Sequence, residues 1–242
     1  MWSSVGVSGV MAASEGNAAP TARGGRFAGL LMRALSAVVL GPLLLAAVWY
    51  GFPWIDLVAA VAAPIIFFEW SRLTRGAPVL RLLAWAYGLA ALGALLWLRH
   101  QPGVGRETIL WILVCIWATD IGAYFVGRTA GGAKLAPRIS PGKTWSGLIG
   151  GMAWAAAGSA MMGYAFGLGE TVHLAIAGAA LAIVGQAGDL LESAAKRRAG
   201  VKDSGRLIPG HGGLLDRIDG LMAVLVAVGV ARLIAGNSWP WT

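Results

Sequence analysis

Residues 172–219 read VHLAIAGAALAIVGQAGDLLESAAKRRAGVKDSGRLIPGHGGLLDRID, and the change of character within them decides the fold class. Residues 172–191 are almost wholly apolar, interrupted only by His173, Gln186 and Asp189. A bilayer-spanning helix needs about 20 such residues, so this stretch crosses as one helix. From Ser193 to Asp219 cations, glycines and carboxylates then crowd together, in a chain that is only 12% charged. Cations that hold phosphate stand beside carboxylates that hold a divalent metal. That pairing at the end of a membrane helix points to chemistry on a nucleotide and a lipid.

The rest of the chain agrees with this division. It has 242 residues, 57% of them hydrophobic, and a mean hydropathy of +0.70. Soluble domains are about 45–50% apolar and about 25% charged, so a water-soluble globule is excluded. The 36 glycines suit close helix packing in lipid. Cys115 is the single cysteine, which rules out an intramolecular disulfide and a cysteine-based metal cluster. A net charge of +8 suits nucleic acid in principle, but its distribution follows membrane topology, so no nucleic-acid partner is expected.

Seven apolar stretches qualify as spans: 30–50, 54–70, 81–98, 108–126, 146–167, 172–191 and 215–235. The expectation is an all-α polytopic membrane protein. Residues 1–26, rich in Gly, Ala and Ser, read as a disordered cytoplasmic N-terminus without the charged and apolar regions of a signal peptide. Residues 27–106 form N-terminal membrane helices, 107–235 a catalytic membrane domain and 236–242 a periplasmic tail. With the N-terminus inside, all of the 19 Lys and Arg residues except Arg99, Arg106 and Arg232 fall on the cytoplasmic side. The positive-inside rule therefore gives N-in and C-out. Trp49, Tyr50 and Trp54, with Trp239 and Trp241, mark the opposite interface as an aromatic belt. The two basic loops, 127–145 and 192–214, then share the cytoplasmic face, where nucleoside triphosphates are available.

Of eleven acidic residues, Glu69, Asp120, Asp189, Glu192, Asp216 and Asp219 lie in or beside spans near that face. A carboxylate in the membrane costs a few kcal/mol or more and needs a partner or a wet cavity. Glu69, three residues before Arg72, reads as one half of an ion pair. Asp189 and Glu192 share a helix face at i,i+3, and Asp216 and Asp219 repeat the spacing on the last span. Two such helices can meet around Mg²⁺, which takes one or two carboxylates plus substrate phosphates. Glycines 205, 210, 212 and 213 let backbone N–H groups approach an anion, with His211 as a further donor. Ser140, Gly142, Lys143 and Thr144 form a second compact donor set. The PGKT at 141–144 is not a Walker A loop: residue 137, where its first glycine belongs, is Pro, and no strand is expected before it.

These residues carry a resemblance. Ser193, Lys196-Arg197, Lys202-Asp203, Gly205, Ile208-Pro209, His211-Gly212-Gly213 and Asp216-Arg217-Ile218-Asp219 resemble the signature of the phosphatidate cytidylyltransferases. Asp120 to Tyr124, Gly127-Arg128, Lys134 to Pro137 and Ile139 to Thr144 are similar to a second block of that family. The likeness covers roughly 115–220; Ala195 departs from it, replacing a larger apolar residue. It implies that CTP and phosphatidic acid give CDP-diacylglycerol and pyrophosphate, in a homodimer in the bacterial inner membrane among membrane lipids. Asp189 and Asp216 would hold Mg²⁺, with Asp120 and Asp219 as further ligands, and whether a monovalent cation accompanies it stays open. Lys143, Arg217 and His211 complete the catalytic set. Ser140, Lys143, Thr144, Lys196, Arg197, Lys202, His211, Gly212 and Gly213 would bind substrate. A CTP-dependent polyprenol or phytol kinase remains the alternative. A CDP-alcohol phosphatidyltransferase fails, because Asp219-Gly220 is followed by Val224 where its motif needs Arg, and no acidic residue comes afterwards. A transporter fits less well, since the charges gather at one face and no internal repeat is visible.

Overall fold

A computed structural model describes residues 38–39, 41–205, 207 and 212–236. Seven helices follow in order: α1 (Gly41–Tyr50), α2 (Trp54–Leu73), α3 (Pro78–Arg99), α4 (Gly105–Ala130), α5 (Trp145–Phe166), α6 (Thr171–Arg198) and α7 (Leu215–Ala235). Five of them, α2, α3, α4, α6 and α7, are long and apolar enough to cross a membrane. α5 has 22 residues and no charge, but its many Gly, Ala and Ser dilute its hydropathy. α1 is short within the described residues.

Consecutive helices run in alternating directions, so the molecule has two ends with different chemistry. At one end Arg99 donates from Nε to the Val48 carbonyl (2.6 Å) and from Nη2 to the Trp49 carbonyl (3.1 Å). His100 meets Asp56 there, and the Arg106 guanidinium lies 4.5 Å over the Trp49 ring. Trp49, Tyr50 and Trp54 are exposed at this end, as an interfacial belt requires. Trp239 and Trp241 lie outside the described residues. Arg232, read from sequence as an outer-face cation, is instead almost fully buried in α7.

At the other end the expectation of an uninterrupted loop over 127–145 is corrected. α4 continues to Ala130 and stops at Gly131, whose φ of +59° suits a residue without Cβ. An antiparallel hairpin follows, β1 (Lys134–Ala136) with β2 (Ser140–Thr144), pairing Lys134 with Thr144 and Ala136 with Ser140. The described residues are therefore all-α apart from this hairpin and the connecting segments. A strand does precede α5, contrary to expectation, but the Gly142-Lys143-Thr144 run lies inside the strand rather than in a phosphate loop. Thr144 ends the hairpin and starts α5 at once: its Oγ1 accepts from Gly147 N at 3.0 Å, a regular N-cap.

α6 is also longer than its apolar run. It carries Lys196, Arg197 and Arg198 in its last turn, where cations complement the C-terminal end of the helix dipole. The sequence reading had placed these three in the loop. α6 and α7 cross with almost no side chain between them. A Cβ on Gly188 would stand 2.6 Å from Ala223 Cβ and 2.8 Å from Asp219 O. Small residues let backbones approach in this way in membrane helices. Large apolar side chains such as Val61, Phe68, Leu82, Ile176 and Leu233 point outward, the arrangement expected of lipid-facing helices.

Candidate active site

The start of α7 is built on two carboxylates. Asp216, in the first turn, turns back on the segment before it. Its Oδ2 accepts from Ser204 N (2.9 Å), Ser204 Oγ (3.0 Å) and Gly213 N (2.8 Å), and its Oδ1 accepts from Lys196 Nζ (2.7 Å). Glu69, near the end of α2, supplies the second. Its Oε1 accepts from Leu214 N (3.0 Å) and its Oε2 from Leu215 N (2.8 Å) and Ser204 Oγ (2.9 Å). The N–H groups that a helix start leaves free, and its positive dipole end, are thereby matched to negative charge. Glu69 is only 2% exposed and does not pair with Arg72, which corrects the local ion-pair reading. Hydrogen bonds to a charged group contribute about 1.5–3 kcal/mol each, enough to offset the burial of this anion.

Lys196 joins α6 to the same assembly. Its Nζ lies 2.7 Å from Glu192 Oε2 and 2.7 Å from Asp216 Oδ1. All three side chains are largely buried, so removing one partner would leave unbalanced charge inside the protein. About two helical turns before Lys196, Asp189 Oδ2 meets Lys143 Nζ at 2.6 Å, and its Oδ1 accepts from Ser193 Oγ at 3.2 Å. Asp189 retains 35% of its side-chain surface and Lys143 17%, with its Nζ buried, so only the aspartate side of this pair is partly open. Arg197 Nε donates to the Ile139 carbonyl at 3.3 Å and ties the hairpin to α6. The two basic regions expected on one face, 127–145 and 192–214, meet where Arg197 contacts Ile139, and Lys143 adds a contact to Asp189 just before the second.

Between α4, α6 and α7 lies a cavity of about 170 Å³, lined by Asp120, Asp189, Asp216, Arg217 and Asp219 with Thr119 and Gln186. Asp120, Asp189 and Asp219 lie close enough to act on one another electrostatically, with Lys143 opposing them. Four carboxylates around one small polar space are hard oxygen donors suited to Mg²⁺. Among the described residues no three acidic or imidazole groups form a ready-made metal cluster. Lysines hold Asp189 and Asp216 instead. An ion that binds with one or two carboxylates and completes its shell with substrate phosphates fits this donor set, and a protein-only cage does not.

The remaining sequence-designated residues fall into three groups. Arg217 and Lys202 are exposed at the same end, and Ser140 is half-buried in β2. Thr144 is buried and used as a helix cap. Gly212 and Gly213 line the Asp216 carboxylate, and a Cβ on Gly213 would overlap Ser204 Oγ and Glu69. The anion that the Gly213 N–H holds is the protein's own Asp216, not an added one. His211 lies outside the described residues. Sequence reasoning missed Ser204, and it misread Glu69. The available signal was a buried-type carboxylate late in an apolar span, but its partners lie 135–146 residues away.

Comparison with known proteins bears on what this arrangement serves. Residues 78–234 match the model of the cytidylyltransferase family. This chain belongs to that family. Its members with similar sequences include the phosphatidate cytidylyltransferase of Brucella suis, 37% identical over 242 residues, spanning 80% of this chain and 90% of that protein. The phosphatidate cytidylyltransferase of Pseudomonas aeruginosa is 41% identical over 202 residues, 82% of this chain and 71% of its own. That of Bacillus subtilis is 43% identical over 129 residues, 53% of this chain and 48% of its own. The family match encloses the hairpin, the cavity and the α6–α7 segment, and it begins after Glu69.

Proposed function

We propose that this membrane-embedded cytidylyltransferase joins CTP to phosphatidic acid, giving CDP-diacylglycerol and pyrophosphate in phospholipid synthesis. The observation that carries the reading is the convergence of Lys143–Asp189 and Lys196–Asp216 on one carboxylate-lined cavity at the basic end of a membrane helix bundle. The likeness to phosphatidate cytidylyltransferases supports the choice of substrates.

The chemistry follows from the substrates. An oxygen of the lipid phosphate attacks the α-phosphorus of CTP; a P–O bond forms there, and the bond to the pyrophosphate leaving group breaks. A phosphate monoester carries about −1.5 to −2 charge at neutral pH, so the nucleophile needs no general base. Repulsion between two anions is the main barrier, and cations preset around the reacting phosphates lower it. Lys143 is the nearest such cation to the open side of Asp189, and Arg217, Lys202 and Arg197 extend the field toward solvent. Lys196 holds Asp216 and so fixes the side of the cavity that α7 supplies. Ser140, Gly212 and His211 are proposed as further substrate contacts. Asp189 and Asp216, with Asp120 and Asp219, would hold Mg²⁺. That ion would neutralise phosphate charge and screen the two reactants from one another.

The finer topology belongs to the same proposal: seven spans, N-in and C-out, in the bacterial inner membrane, with 107–235 as the catalytic unit. The working unit is taken as a homodimer from the family resemblance. The test supplies membranes with CTP labelled in the α- or the γ-phosphate, with and without phosphatidic acid and Mg²⁺. α-Label entering lipid only when phosphatidic acid is present is the expected result. γ-Label entering lipid instead would make the protein a lipid kinase.

A further inference from the structure

Glu69 is the least expected participant in this site. It stands on α2, before the stretch that matches the family, and its buried carboxylate has no cationic partner among the described residues. Among the described residues its bonds go to the segment that carries Asp216: Leu214 N, Leu215 N and Ser204 Oγ. Ser204 is fully buried, and its hydroxyl lies 2.9 Å from Glu69 Oε2 and 3.0 Å from Asp216 Oδ2. A hydroxyl has one proton, so it donates to one of these carboxylates at a time. The two acids are thus linked through a single shared donor. The space is closed by Gly205 and Gly213, where any Cβ would press on Glu69.

We propose that Glu69 is a positioning residue for cytidylyl transfer. It fixes the start of α7 and, through Ser204, orients the Asp216 carboxylate toward Lys196 and the cavity. A cap alone would need one acceptor at the helix start, as Thr144 provides for α5. Glu69 uses both oxygens and reaches beyond the helix to the residue that also holds Asp216. The inference rests on the proposed reaction.

The test uses the full-length protein in detergent–lipid micelles. Glu69→Gln keeps the size but replaces one acceptor oxygen with an NH₂ group that faces backbone donors. Ser204→Ala removes only the shared hydroxyl. The expected result is a kcat lowered about 100-fold in Glu69→Gln, on the scale of lost electrostatic preorganisation, and about tenfold in Ser204→Ala, the size of one hydrogen bond. KM for CTP should change little, and Tm of Ser204→Ala should stay near wild type. The double variant should lose less than the product of the two losses, because both act through one network. Partial recovery of kcat in Glu69→Asp is expected as well. Wild-type kcat in both single variants, or losses that match only the missing folded fraction, would overturn the proposal. If Glu69→Gln yields no folded protein, Ser204→Ala decides: normal kcat refutes the link. Failure of the wild type to move α-label into lipid is a different outcome, which refutes the reaction itself.

Discussion

Lys143 and Lys196 each hold one aspartate, yet their surroundings assign them different work. Lys196 is wedged between Glu192 and Asp216 with 11% of its side chain exposed. Lys143 pairs with a single carboxylate, which is more exposed than either partner of Lys196. Lys143→Ala is therefore expected to lower kcat about 100-fold, the size of losing one transition-state donor, with little change in Tm. Steady-state kinetics and a thermal melt of the same preparation check both halves. The paired aspartates should separate in the same way. Asp189→Asn is expected to abolish pyrophosphate release from a protein that melts normally. Asp216→Asn should abolish it and also destabilise the fold, by about 1.5–3 kcal/mol for each charged hydrogen bond lost. Equal melting temperatures for the two variants would contradict this division. At this scale the sequence marked Asp189, Asp216, Lys143 and Lys196 as candidates through spacing and local charge density. It did not announce Ser204 or the role of Glu69, because their bonds join segments more than a hundred residues apart.

Among the elements, the apolar runs were legible because a bilayer imposes a minimum length on every span. The hairpin was not. Its strands, KLA and SPGKT, hold one β-branched residue, Thr144, and lack the alternation that marks a strand, and tertiary contacts to α6 hold them in place. The true end of α6 was hidden for a related reason. Hydropathy stops near Leu191, whereas backbone hydrogen bonding continues to Arg198. The α6–α7 crossing gives an element-level prediction. Gly188→Val pushes carbon into Ala223 and the Asp219 carbonyl, and overpacking of this kind costs about 1–3 kcal/mol. The variant should melt several degrees lower. Its activity should fall as well, since Asp219 sits on the displaced turn of α7. An unchanged melt would mean that the helices separate without cost.

For the whole molecule, the two-ended distribution of charge makes orientation measurable. Cys115 is buried, so the native chain offers almost no background to a membrane-impermeant maleimide. Arg138→Cys, on the exposed hairpin turn, should label in inverted vesicles and not in intact spheroplasts; Pro102→Cys, at the opposite end, should do the reverse. Labelling of both from one side would refute the alternating arrangement.

The length of α6 has a consequence for kinetics. Its 28 residues extend about 42 Å at 1.5 Å per residue, well beyond a hydrocarbon layer of about 30 Å. With residues 172–191 as the span, the surplus would lift Lys196 and Arg198 toward the headgroups and leave Asp189 about 10 Å below Lys196. A lipid phosphate meets the site at its own resting depth, with its acyl chains still in the leaflet. The encounter is then two-dimensional, and surface density replaces bulk concentration as the governing variable. In mixed micelles the rate should follow the mole fraction of phosphatidic acid, falling as inert detergent is added at constant total lipid.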